Sequence, residues 1–396
     1  MSLDFDKENS NLERMRQMKN LLIILYITAL GFMALYAPQP LLPLLSEELH
    51  VNITQISLLI SVTLFPLSLA PILYGFILES VPSKAMLKTA ILWLALSELG
   101  FLWLTDFWLL VGIRFWQGLL LPAIFTALVT YLSMTTPAAS MQRILSFYIA
   151  TTIFGGFLGR FLAGMMAAYS HWQFVFLIIM LGLLYGYRLL YLLDSDSHLR
   201  FVRPTRQNIF NALRNPIYNK IYLIIFLIFF CFASILNSLP FRITELQHHT
   251  SELTIAIMYA GYLIGIVVVL NSGHINRWCK GESNTVFLGA TVFLSALLLF
   301  NVPSVIVMFF NMFLLCAGMF LVHGVLAGYL NQLATHDKGI VNGMYIALYY
   351  AGGSLGSYLP AFIYRGFGWN VYLLFLCCLV LIAMSMVKFL IVPHRA

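Results

Sequence analysis

The chain has 396 residues, of which 61% are hydrophobic and 9% charged, with a net charge of +7. A soluble domain carries about 25% charged residues, so a soluble fold is excluded, and a lipid bilayer is the solvent that accepts so much apolar surface. The positive balance does not mark a nucleic-acid surface, because its Lys and Arg residues cluster at the ends of apolar runs.

In chain order, residues 1–19 form a polar tail of mixed charge. The apolar run that follows is long and lacks a small-residue cleavage site before a soluble body, so it reads as a retained span rather than a signal peptide. A span needs about 20 apolar residues. Twelve are predicted, at 20–45, 53–78, 86–105, 108–133, 144–169, 172–193, 217–240, 252–272, 284–302, 304–332, 339–364 and 369–391. The longest stretch between spans, 194–216, holds Arg200, Arg203, Arg206 and Arg214. The predicted organisation is a tail (1–19), a six-helix lobe (20–193), a cytoplasmic linker (194–216), a second six-helix lobe (217–391) and a short tail (392–396). The fold class is an all-α membrane protein with twelve transmembrane helices.

Charge fixes an orientation for this scheme. Of the 22 Lys and Arg residues, Arg114 and Arg160 fall inside spans and Arg242 and Arg365 fall on one side. The remaining eighteen, from Lys7 to Arg395, fall on the other. By the positive-inside rule the termini and linker face the cytoplasm. An odd span count would scramble that bias.

The two halves repeat. Tyr148, Ile149, Ala150, Gly155, Gly156, Leu158, Gly159 and Trp172 recur without a gap as Tyr345, Ile346, Ala347, Gly352, Gly353, Leu355, Gly356 and Trp369. The offset of 197 is about half the chain, so one folding unit is written twice. Six spans per unit make the copies parallel repeats. Glycines at this spacing let helices approach closely in lipid, which places spans five and eleven at the boundary between lobes. Tyr345, Tyr349, Gly352 and Gly356 share one helical stripe, which either packs or lines a cavity.

Polar residues inside spans are costly and mark candidate sites. Arg114 with Gln117 in span four either lines a cavity or snorkels to the outer interface. Glu98 lies at a depth similar to Arg114 and has three open readings: coupling, a structural polar contact, or interfacial snorkelling. Arg160 attracts an anionic group or anchors at the interface. His323 is a hydrogen-bonded packing residue or a proton acceptor. Tyr36, Gln39, Asn237 and Asn311 bridge helices or face the solute. No metal or cofactor is expected. His248-His249 lacks a third ligand, and the five cysteines lack ligand spacing. Asn52-Ile-Thr54 matches a glycosylation sequon, a short motif frequent by chance.

These motifs resemble the major facilitator superfamily over residues 20–391. Gly75-Phe-Ile-Leu-Glu79-Ser-Val-Pro82-Ser-Lys84 is similar to the family's glycine–acid–basic loop, with Ser80 and Pro82 departing from it. Arg114-Phe-Trp-Gln117-Gly118 is similar to its span-four signature, whose arginine the family links to proton coupling. Gly155-Gly156-Phe-Leu-Gly159-Arg160 occupies the place of the antiporter motif of efflux members but lacks its proline. The Tyr36-Ala-Pro38-Gln-Pro40 segment and Tyr349-Tyr350 before Gly352-Gly353 resemble the bacterial arabinose-efflux and drug-efflux branch. The resemblance implies a monomeric, proton-coupled exporter in the bacterial inner membrane. It would move a small molecule, drug-like or a metabolite such as a siderophore, by alternating access. An importer of the same fold is the first alternative. A multi-span enzyme or sensor is the alternative from another class, disfavoured because no acid, histidine or nucleophile constellation clusters at one depth. No nucleotide-binding loop is present to power transport.

Overall fold

A computed structural model describes residues 2–136, 138–193, 210, 212–247, 250–334 and 338–388, and side chains from residue 15 except 70–73, 75–80, 138–139 and 142. Most of the linker (194–209 and 211), the C-terminal tail, His248-His249 and the side chains of Gly75 and Glu79 therefore lie outside the described residues.

The described residues are helical almost throughout, with no strand among them. In lipid this follows from the backbone, whose amides find no water and must bond within the helix. In the first half the spans are α1 (Met15–Glu48), α2 (Leu58–Ser80), α3 (Ser83–Trp103), α4 (Phe107–Thr135), α5 (Ala138–Tyr169) and α6 (Phe174–Leu192). In the second half they are α7 (Pro216–Leu246), α8 (Glu252–Trp278), α9 (Glu282–Leu299) and α10 (Val305–Leu333). A continuous helical stretch, Lys338–Val387, holds the last two. It turns at Gly368, whose φ of 80° only glycine adopts without strain, giving α11 (338–367) and α12 (369–387). The described residues thus form twelve transmembrane helices. The end that carries the turns 49–52, 104–106, 170–173, 300–304 and Gly368 is called distal here, and the opposite end proximal.

Buried apolar residues form two clusters. One draws on residues 23–193; the other draws on residues 212–387 and adds Ile153 of α5. The packing inside them repeats. Helix α1 packs on α5 as α7 packs on α11, α2 on α4 as α8 on α10, and α3 on α4 as α9 on α10.

Glycine positions show the repeat at atomic detail. A Cβ on Gly155 would lie 2.6 Å from the Ala29 carbonyl oxygen, and one on Gly159 2.6 Å from the Met33 Cα. A Cβ on Gly352 would lie 2.3 Å from the Phe226 oxygen, and one on Gly356 2.1 Å from the Phe230 oxygen. Ala29 and Phe226, like Met33 and Phe230, are themselves 197 apart. These close approaches run within each lobe, α5 on α1 and α11 on α7, while α5 and α11 also lie at the boundary between lobes, as expected. The reason is periodicity: Gly155 and Gly159 share one face, and the adjoining face, with Gly156 and Arg160, is the one turned toward the other lobe. Gly118 plays a like part inside the first lobe, where its Cβ would meet the Thr63 oxygen of α2 at 2.5 Å. Gly353 instead faces the Phe229 ring of α7.

Between lobes, α5 meets α8 and α2 meets α11. A Cβ on Gly164 of α5 would sit 2.3 Å from the Ala256 Cβ and 2.5 Å from the Glu252 oxygen of α8. The Ser61 hydroxyl donates to the Ser354 carbonyl (2.8 Å) and the Ser354 hydroxyl to the Ser61 carbonyl (2.9 Å). Asn52 caps the short helix Ile53–Ile56, accepting from the Gln55 N–H at 3.0 Å while its own N–H donates to Gln55.

Candidate functional site

Two helices lose their regular form at the same depth. In α1 the helix stops at Tyr36, passes through a tight 3-10 turn at Gln39–Leu41 and resumes at Leu42. Pro38 and Pro40 explain the break, since each lacks the N–H that a continuing helix would use. In α8 a 3-10 stretch, Tyr259–Leu263, separates Glu252–Met258 from Ile264–Trp278. Such stretches inside a helix re-aim side chains and often mark functional positions. The first turns Gln39 inward, and the second turns Tyr259 and Tyr262 inward; all three are buried.

They converge on Arg160, which α5 carries nine residues before its distal end at Tyr169, about 14 Å along the helix. Arg160 is fully buried. Its Nη1 donates to the Gly156 carbonyl at 2.7 Å and its Nε to Gln39 Oε1 at 2.7 Å. Its guanidinium lies 4.2 Å from the Tyr36 ring centre, 4.5 Å from that of Tyr262 and 5.0 Å from that of Tyr259. Nη2 makes no hydrogen bond, although the Tyr262 hydroxyl is close by. No described acid pairs with it. Gln39 Nε2 in turn donates to Asn237 Oδ1 of α7, and Asn237 Nδ2 to the Ser357 carbonyl at 3.3 Å. The cluster therefore joins both lobes. Each desolvated ring is worth about 2 kcal/mol to the cation, against a desolvation penalty of several kcal/mol per ion. The aromatic cage thus holds the charge without neutralising it.

The second cluster lies within the first lobe. Arg114 is fully buried. Its Nε donates to the Leu59 carbonyl (2.9 Å), Nη1 to the Ala34 carbonyl (3.0 Å) and Gln117 Oε1 (2.6 Å), and Nη2 to the Leu35 carbonyl (2.6 Å). Gln117 Nε2 donates to the Ser97 hydroxyl at 3.1 Å. Glu98 is also fully buried, where the α3 helix loosens after Ser97. Neither of its carboxylate oxygens has a partner at normal hydrogen-bond geometry, and the Gln117 carboxamide is the polar side chain close enough to reach it. Arg114 is within electrostatic range of it, but its donors are turned to the backbone of α1 and α2. Snorkelling thus describes none of Arg114, Arg160 and Glu98.

His323 lies among tyrosines of α11. Its Nδ1 is 3.0 Å from the Tyr345 hydroxyl, which also donates to the His323 carbonyl (3.2 Å). Its ring lies beside Tyr349, 4.8 Å between centres. Tyr349 stacks on Phe229 at 3.7 Å and is within electrostatic range of Tyr36, Tyr262, Tyr345 and Tyr350. Asn311 bridges helices, donating to the Ala296 carbonyl at 2.7 Å. Lys84 of the proximal loop motif donates to the Leu193 carbonyl at the end of α6.

Sequence reasoning missed Tyr259 and Tyr262, the serine pair Ser61 and Ser354, and Ser97. A tyrosine pair three apart around Gly261 was the available signal in α8. Nothing local distinguished the serines from others in apolar helices.

The sequence profile described as Major Facilitator Superfamily matches residues 24–357. The chain belongs to the major facilitator superfamily. It is 24% identical over 368 residues to a protein named "Uncharacterized transporter" of Buchnera aphidicola subsp. Baizongia pistaciae, covering 90% of this chain and 91% of that one. It is 23% identical over 361 residues to the inner membrane transport protein YnfM of Escherichia coli, covering 89% and 86%. Among solved structures, a D-xylose–proton symporter superposes with a TM-score of 0.77 at 16% identity, covering 94% of this chain and 98% of that one. A bacterial homologue of the human lysosomal transporter Spinster, in an inward-facing and unoccupied conformation, superposes with a TM-score of 0.73 at 14% identity, covering 95% and 94%. These two show the shared fold. Family and relatives together make this chain a multi-pass membrane transporter.

Proposed function

We propose that the chain is a proton-coupled secondary transporter that exports a small organic solute by alternating access of two lobes, 20–193 and 217–391. The observation that carries this reading is the Arg160 cluster, an uncompensated cation held at mid-membrane depth by groups from both lobes. Inside each lobe, glycine-mediated contacts are too close to slide. Between lobes the close glycine approach is at Gly164, and the side-chain bonds, Gln39 to Asn237 and Ser61 with Ser354, are neutral and exchangeable, as a rocking interface requires.

Glu98 is the proposed proton carrier, with Arg114 the fixed charge that responds to it. Glu98 is a fully buried acid beside a buried arginine, a pairing in which a proton gained or lost changes the local charge. A proton-coupled solved relative of the fold agrees with this choice of ion. Export follows from the resemblance of the Tyr36–Pro40 and Gly155–Arg160 segments to efflux members, and an inner-membrane location from the Escherichia coli relative. One chain supplies both walls of the path, so a monomer suffices. Termini on the cytoplasmic side follow from the charge bias.

The test is flux in proteoliposomes under an imposed pH gradient. Glu98→Gln keeps the shape of the side chain and its reach to Gln117, so it is expected to keep the folded stability while gradient-driven flux falls to background. Unchanged gradient dependence would remove Glu98 from coupling. Accumulation in everted rather than right-side-out vesicles marks export, and the reverse marks an importer.

A further inference from the structure

The side of a guanidinium that carries Nε–H also carries one N–H of Nη2, and the two point in parallel. This is the face that a carboxylate or other paired-oxygen acceptor fills with two hydrogen bonds. In Arg160 that face is half used. Gln39 Oε1 takes Nε at 2.7 Å, and Nη2 beside it is buried with no partner at normal hydrogen-bond geometry, the neutral Tyr262 hydroxyl being close to the guanidinium. A carboxamide has only one oxygen to offer to two donors. The outer Nη1 is already committed to the Gly156 carbonyl. The rings of Tyr36, Tyr259 and Tyr262 stand 4.2, 5.0 and 4.5 Å from the cation, walling it with flat apolar surface. Unpaired donors on a buried cation with no acid nearby call for an anion that is not part of the chain.

The acceptor that an anion would replace is also a tie between lobes. Gln39 lies in the first lobe, and its Nε2 donates to Asn237 of the second. Displacing Gln39 from Arg160 frees the side chain that makes this bond.

We propose that Arg160 is the receptor for a monoanionic solute carrying a carboxylate on a planar, unsaturated body. The carboxylate replaces Gln39 on Nε and takes up Nη2, and the released Gln39 lets go of Asn237. Binding thus removes a tie that holds the distal halves together. This rests on reading the Arg160 cluster as the solute site of a transporter.

The experiment uses the full-length protein in lipid nanodiscs and a panel of aromatic carboxylates, each paired with its own primary amide. Benzoate with benzamide and indole-3-acetate with indole-3-acetamide begin the panel. Binding is read by calorimetry at fixed ionic strength. At least one carboxylate is expected to bind at least tenfold more tightly than its amide. Arg160→Lys keeps the charge but loses the parallel donor pair, and should weaken that binding by tenfold or more. Gln39→Ala leaves Arg160 intact and removes its competitor, so it should tighten carboxylate binding several-fold, an outcome that a purely structural Gln39 would not give. If every carboxylate binds no better than its amide, or if Gln39→Ala weakens binding, the receptor assignment is overturned. Carboxylate binding with these signs but no flux in proteoliposomes would leave the receptor standing and count against the transport reading instead.

Discussion

At the scale of single residues, the two buried arginines do different work despite equal burial. Arg114 spends its donors on three carbonyls and the Gln117 oxygen, and so ties α4 to the start of α2 and the broken part of α1. Removing it strands several buried acceptors, each worth on the order of 1–3 kcal/mol. Arg114→Ala is therefore expected to lower the thermal unfolding midpoint in detergent sharply, by fluorescence-monitored melting. Arg160 leaves Nη2 idle and is held mainly by rings, so Arg160→Gln should shift that midpoint far less. A Cβ on Gly156 would come 3.3 Å from Arg160 Nη1 and 3.4 Å from the Tyr36 ring. Gly156→Ala should accordingly crowd the cage and reduce solute affinity while the protein stays folded, as a binding isotherm would show.

At the scale of elements, α5 is two-faced. Gly155 and Gly159 seat it on α1 inside its own lobe, while Gly156, Arg160 and Gly164 face α8 of the other. The two faces predict opposite phenotypes for similar substitutions. Gly356→Val in the matching position of α11 drives a side chain into the Phe230 carbonyl, 2.1 Å from the ideal Cβ, where backbone cannot yield. Overpacking of this kind costs about 1–3 kcal/mol or more, and the variant is expected to lose its monodisperse peak in size-exclusion chromatography. Gly164→Val wedges the contact between lobes near Ala256. That variant is expected to keep its peak and lose transport, because the distal halves no longer close. The α1 and α8 breaks differ in legibility. Pro38 and Pro40 announce the first, whereas no proline announces the 3-10 stretch at Tyr259–Leu263, which packs against α10 of its own lobe, with Gly261 on Met312, as well as against α5 of the other.

At the scale of the whole molecule, the two lobes meet through bonds that can be made and broken. The Ser61 and Ser354 hydroxyl oxygens are 3.3 Å apart. Paired Ser61→Cys and Ser354→Cys substitutions are expected to form an oxidised cross-link between α2 and α11 that stops flux, and reduction should restore it. Flux that survives full cross-linking would show that this contact does not open. Reporter fusions are expected to place the N-terminus and the 194–216 segment on the same, cytoplasmic side, as the charge bias requires.

The sequence by itself determined the membrane setting, the twelve spans and the doubled unit. Each follows from local chemistry: apolar length, charge at span ends and a recurring pattern of small residues. It also singled out Arg114, Arg160, Glu98 and Gln39 as polar groups with no cheap place in lipid. Only the tertiary structure decided their partners. Arg114 found backbone carbonyls in place of Glu98, and Arg160 found three rings, two of them from the other lobe. Spans five and eleven do lie at the boundary between lobes, but their glycine pairs bind α1 to α5 and α7 to α11 inside each lobe. Helical period says which residues share a face, but the neighbour that face meets depends on how six helices close around one another, and that information is spread over the whole chain.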